Sequence, residues 1–144
     1  IYPGTEGYIK AYLDWQSVYR PSWAGIEQIV YSDYYRYAGT LDRIGYLNGE
    51  KIPCIVDLKT STPTKEALVA VCIQTQAYAL AYNSAIARDV GRWALFLKSD
   101  GTWRFQDCKE YEKKYGFNSK DAWEMLLGTH KLITRLLATG KGKG

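Results

Sequence analysis

Two acids and a lysine interrupt segments that are otherwise apolar. They stand in Gly39-Thr40-Leu41-Asp42 and, further on, in Ile55-Val56-Asp57-Leu58-Lys59-Thr60-Ser61. Charged side chains inside an apolar strand are hard to explain as solvated surface, because burying a charge without a partner is costly. Two carboxylates on one sheet face repel each other. A hard divalent cation resolves the repulsion, since Mg²⁺ takes carboxylate oxygens and keeps several waters. Such an ion acidifies a coordinated water and stabilises charge on a phosphoryl oxygen. A lysine two residues beyond the second carboxylate can orient that water or neutralise developing charge. A plain Asp–Lys ion pair at a strand end is the structural alternative.

The neighbouring elements must place these groups. Tyr34–Leu47 and Ile52–Leu58 read as two strands joined at Asn48-Gly49, a strong hairpin signal because both turn positions need positive φ. A literal two-residue turn pairs Leu47 with Glu50 and sets Asp42 opposite Ile55. Asp42 and Asp57 then become diagonal neighbours, roughly 7–8 Å apart. A bulge at Pro53 would change this register. Ser61–Thr64 reads as a loop and cap before a long helix, Lys65–Ser84. Gln74 and Tyr78, four residues apart on that helix, share a face. Because the helix starts just past Lys59, that face can lie beside the carboxylates.

Around this centre the pattern predicts a helix over Gly7–Tyr19 stopped at Pro21, and a strand over Ala24–Tyr31. A second hairpin, Arg92–Lys98 with Thr102–Cys108, turns at Asp100-Gly101, and a last helix covers Lys120–Ala138 after Asn118-Ser119. The order α-β-β-β-α-β-β-α describes one α/β (α+β) domain over residues 1–144, a mixed central sheet flanked by helices. The glycine- and lysine-rich end from residue 139 reads as a flexible basic tail.

GTLD, IVDLKTS and QTQAYA, in this order and at these distances, resemble the RecB-like branch of the PD-(D/E)XK nuclease superfamily, which includes phage exonucleases. The resemblance covers Ala24 to about Asn83 and implies a restriction-endonuclease-like core. It implies Asp42 and Asp57 as ligands of Mg²⁺ or Mn²⁺, joined by the backbone carbonyl of Leu58 and by Glu27 from the preceding strand. It implies Lys59 as the catalytic lysine and Gln74 and Tyr78 as the supporting Gln-x-x-x-Tyr motif. Thr40, Arg43, Thr60 and Ser61 become the nucleic-acid contacts, the last two standing where relatives carry small hydroxyl residues. Many relatives add a histidine or glutamate from an earlier helix. The single histidine here is His130, on the last predicted helix, where a surface or capping role is expected; a first-helix ligand would precede Ile1.

Composition agrees with these expectations. With 144 residues, 47% hydrophobic and 24% charged, the chain suits one globular domain. No apolar run approaches the roughly 20 residues of a membrane span. Three scattered cysteines, Cys54, Cys72 and Cys108, suit neither a disulfide framework nor a zinc or iron–sulfur site. An intracellular setting is expected, the cytoplasm of a bacterium or a phage-infected cell. A net charge of +4 favours an anionic partner, and the basic cluster Lys109, Lys113, Lys114 and Lys120 offers backbone contacts. Phosphate-cradling glycine loops and a Gly-x-Ser-x-Gly elbow are absent from the sequence. The chain opens at Ile1 with its sole methionine at Met125, which suggests a piece of a longer protein. The expected function is a metal-dependent deoxyribonuclease, of exonuclease type, acting on DNA. A recombination protein or further copies of the chain are possible partners. The alternatives are a non-catalytic nucleic-acid-binding module on the same fold, and a protein-interaction domain.

Overall fold

The computed structural model describes residues 4–142. The first helix, α1 (Glu6–Tyr19), buries Ala11 and Trp15, four residues apart on one face. It stops at Arg20, left-handed at φ 44°, whose N–H bonds back to the carbonyl of Gln16. Pro21 follows, a residue that cannot donate into a continuing helix. Two long strands come next, β1 (Ser22–Ser32) and β2 (Tyr37–Tyr46). Between them Ser32 organises a turn, its carbonyl accepting from Arg36 N at 2.8 Å and its Oγ from Tyr35 N at 3.0 Å. This turn occupies the start of the second predicted strand, which therefore begins at Tyr37 rather than Tyr34.

β3 (Cys54–Lys59) pairs antiparallel with β2 and parallel with β4 (Gly91–Leu97). Parallel neighbours need a long crossover, here supplied by α2 (Lys65–Tyr82). Thr64 caps α2, its side chain accepting from Ala67 N. β5 (Trp103–Asp107) closes the other edge, giving the order β1-β2-β3-β4-β5. A short helix, α3 (Cys108–Tyr115), precedes the last helix, α4 (Ser119–Gly142). The architecture is mixed α+β, a five-stranded mixed sheet flanked by helices, in the order α-β-β-β-α-β-β-α-α.

The helices sit on both faces of the sheet. On one, α1 packs with Leu47, Val56, Leu95 and Leu97. On the other, the C-terminal half of α2 packs on Leu41, Ile44, Ile55 and Val90, and its N-terminal half meets Phe96, Cys108 and Tyr111. Each fully buried aliphatic side chain of this kind contributes about 1.5–3 kcal/mol. The three cysteines are buried and free.

Two further sequence expectations are corrected. The Asn48-Gly49 turn forms as read, with φ 52° and 72° and Glu50 N donating to Leu47 O at 2.9 Å. Strand pairing does not grow directly from it. Lys51 to Pro53 bend away first, Pro53 lacks an N–H for the ladder, and the register becomes Arg43↔Val56, Ile44↔Ile55 and Gly45↔Cys54. Helix α3 replaces an expected loop. Asp107 nucleates it by accepting from the amides of Lys109 and Glu110, and left-handed Gly116 ends it. Helix α4 is described through Gly142, and residues 143–144 lie outside the described residues.

Candidate active site

Alternation along β3 places Asp57 on the side of Ile55, facing α2. The observed register, carried one step further, sets Asp42 directly opposite Asp57. The predicted diagonal offset is thus replaced by a closer one, and the shift of two residues keeps both acids on their expected faces. The backbone N–H of Leu58 donates to Asp42 Oδ2 at 2.9 Å, which aims that carboxylate across the strands at the end of β3.

Asp57 is only 3% exposed. Lys59 Nζ lies 3.1 Å from Asp57 Oδ2. This buried oxygen therefore has the Lys59 ammonium as its countercharge. Burial pushes the Asp57 carboxyl up to about 6; Lys59 opposes that shift and the charge of Asp42 adds to it. A carboxylate held in this state has its ionised form destabilised, a condition that a cation relieves.

Helix α2 supplies the opposite wall. Gln74 Nε2 donates to Tyr78 Oη at 2.9 Å, fixing the phenol. The Tyr78 hydroxyl is pushed up first by burial and next by the charge of Asp57, with Asp42 contributing further. The phenol therefore stands in the field of the carboxylate pair. Asp42, Asp57, Leu58, Lys59, Gln74 and Tyr78 are brought together as the sequence predicts.

The remaining candidates are placed differently. Glu27 is exposed on β1 with a left-handed φ of 49°. It stays outside the pair: among the described residues, no three His, Cys, Asp or Glu side chains gather around one point. Arg43 turns to the α1 side, lining a cavity with Tyr8 and Tyr12, and its Nη1 donates to Asp42 O at 3.1 Å. It is thereby withdrawn from the carboxylates. Thr60 and Ser61 are exposed just after Lys59, and Thr40 is exposed on β2. His130 is exposed on α4.

One contributor escaped sequence reasoning. Gly39, two residues ahead of Leu41 in β2, lies against the Tyr78 ring; a Cβ there would stand 3.0 Å from Cε1. The signal was available, because a glycine inside a strand often marks a close approach.

The donor set is two carboxylates and adjacent backbone, all hard oxygen. It fits a cation such as Mg²⁺ or Mn²⁺ that retains waters. No protein-family model matches the chain, and no curated protein matches it significantly in sequence.

Proposed function

We propose that the chain is the core of a metal-dependent deoxyribonuclease, of exonuclease type, akin to the RecB-like PD-(D/E)XK nucleases. The observation that carries this reading is the meeting of Asp42, Asp57 and Lys59, with Asp57 buried and Lys59 Nζ 3.1 Å from its Oδ2. Asp42 and Asp57 would hold Mg²⁺ or Mn²⁺, with the Leu58 carbonyl as a further oxygen. Once bound, the ion supplies compensation of the paired negative charge and acidification of water for attack on phosphorus. Lys59, one-third exposed, reaches from the buried carboxylate toward solvent, where its ammonium can hold a phosphate oxygen or steer the attacking water. Gln74 and Tyr78 keep the α2 side of the site in place. Thr60 and Ser61 offer hydroxyls to the scissile strand's backbone. Among the described residues no helix is long and apolar enough to cross a membrane.

The test is cleavage of end-labelled linear DNA and closed circular DNA with Mg²⁺, with Mn²⁺ and with EDTA. The Lys59→Ala variant runs alongside. Metal-dependent loss of linear DNA, abolished by the variant and sparing circles, is the expected result. No cleavage, with salt-sensitive DNA binding retained, would instead make the chain a non-catalytic binding module.

A further inference from the structure

Helix α4 outruns the domain it belongs to. Its first turns pack on α2, with Leu127 buried, and Lys131 Nζ still reaches the turn between β1 and β2, donating to Tyr35 O at 2.6 Å. From Gly128 to Thr139, however, every residue is exposed. A bare helical stretch of this length, holding a glycine and three threonines, is marginal in water, because most helical stability comes from packing an apolar face. Such a face is present. Met125, Leu126, Leu132, Ile133, Leu136 and Leu137 are between 46% and 73% exposed. At 3.6 residues per turn they fall on one stripe about 140° wide. The charged residues Lys120, Asp121, Glu124, Lys131 and Arg135 lie outside it. At Leu126 the stripe runs into a groove of about 870 Å³ between α4 and the outer face of α2, lined in part by Trp123, Val69 and Ile73. Stripe and groove together exceed the apolar patch that a soluble monomer ordinarily leaves uncovered.

We propose that this surface joins two copies of the chain, their α4 helices packed antiparallel across a two-fold axis between Thr129 and His130. The inference is independent of the nuclease reading. The surface is complementary to itself, as a two-fold contact requires. One half of α4 projects and is convex, and the other half borders the groove and is concave. The axis sets Ile133 of one copy opposite Leu126 of the other, and Leu136 opposite Trp123, at the mouth of the groove. Parallel packing would instead bring both domains to the same end of the helix pair. The charges agree with the antiparallel arrangement. Both acids of α4, Asp121 and Glu124, stand in its first turns, and Lys131 and Arg135 in its projecting half. Antiparallel packing brings these unlike ends together and opposes the two helix dipoles. The six exposed side chains and the groove wall offer roughly 800 Å² per copy, which is what a standard specific interface buries.

The test is sedimentation velocity at a concentration on the order of 10 µM. Wild type is compared with Ile133→Glu, Leu136→Glu and, away from the stripe, Thr134→Glu. All three positions are exposed, so none of the substitutions disturbs the core, and circular dichroism checks each variant. Expected is a dimer for wild type and for Thr134→Glu. Each stripe variant forces a carboxylate into the contact and should raise the dissociation constant about a hundredfold or more, leaving a monomer. The arrangement is read by cross-linking single-cysteine variants with a short bismaleimide, the three native cysteines being buried. Thr129→Cys, beside the axis, should link copy to copy. Leu137→Cys, far from its own equivalent, should not. A wild-type monomer, or a dimer that survives both Ile133→Glu and Leu136→Glu, overturns the proposal. Leu137→Cys linking to itself more readily than Thr129→Cys overturns the antiparallel arrangement. Neither readout depends on cleavage, so this proposal and the nuclease reading fail separately.

Discussion

The Tyr78 ring rests on the bare backbone of Gly39: a Cβ at that position would lie 3.0 Å from Cε1. The strand that carries Asp42 and the helix that carries Tyr78 thus meet where one of them has no side chain. Gly39→Ala must push the ring aside. Tyr78 cannot simply slide, since Gln74 holds its hydroxyl at 2.9 Å. The expected result is a fall in cleavage of about tenfold to a hundredfold, with a melting temperature close to that of wild type. Turnover and a thermal melt on the same preparation check it. Full activity would remove Tyr78 from any positioning role.

The carboxylate pair makes a second prediction, independent of turnover. A cation that binds only the folded state stabilises it by mass action, about 2.7 kcal/mol at a hundredfold excess over its dissociation constant. For a chain of this size that corresponds to a rise of roughly 5–10 °C in melting temperature. Mg²⁺ and Mn²⁺ are expected to give such a rise in wild type and none in Asp42→Asn or Asp57→Asn. A melt with and without EDTA decides it. An equal rise in the variants would place the ion elsewhere.

The raised carboxyl of Asp57 gives a third. Its ordinary value is 3.8 and its folded value about 6. Below about pH 4 the group is protonated in both folded and unfolded chains, so burial carries no penalty. As pH rises through about 6, the fold must retain a buried anion, and the stability present at low pH is lost. The loss amounts to about 3 kcal/mol at neutral pH. Urea melts of metal-free protein at about pH 4 and about pH 7 should show Asp57→Asn gaining on wild type as pH rises. A gap that ignores pH would mean that another group sets the field around Tyr78.

Much of this site was legible in the sequence because it depends on alternation and helical spacing. Asp57 and Lys59 share a face of any strand, and Gln74 and Tyr78 share a face of any helix. The turn at Asn48-Gly49 was legible for a similar local reason, as its positive φ angles show. The register was not. Whether pairing starts at the turn or after Pro53 is settled by how Lys51–Pro53 bend, with Asn48 N bonded to Tyr19 O at 2.8 Å across the molecule. The direction of Arg43 follows from alternation, which puts it on the face opposite Asp42; the placement of Leu41 was hidden. Leu41 and Ile44, three apart, reach the same cluster, so strict alternation fails around Asp42, level with left-handed Glu27 on β1. Helix α3 escaped because its apolar face is only Cys108, Tyr111 and Tyr115, too little among eight mostly polar residues to stand out. Its cap, Asp107, is recognisable only once β5 is known to end there.

The last prediction concerns the scaffold rather than the site. Arg92 on β4 is 2% exposed, and its Nη2 lies 2.6 Å from Glu112 Oε1 on α3. Its Nη1 donates to Cys72 O on α2 at 2.8 Å, so one guanidinium ties together the strand and both helices. Removing the acid leaves a buried cation without its countercharge. Glu112→Ala should therefore cost about 3–5 kcal/mol, measured by urea denaturation. Replacing the pair together is a different matter, because two apolar side chains carry no desolvation penalty. Arg92→Met with Glu112→Leu should recover most of the loss. Asp57, beside Ala94 in the ladder, stands two strand positions from the residue that pairs with Arg92. The cation-induced rise in melting temperature should then survive in both variants. Its disappearance in the double variant would show that the position of α2 over the carboxylates depends on the Arg92–Cys72 bond.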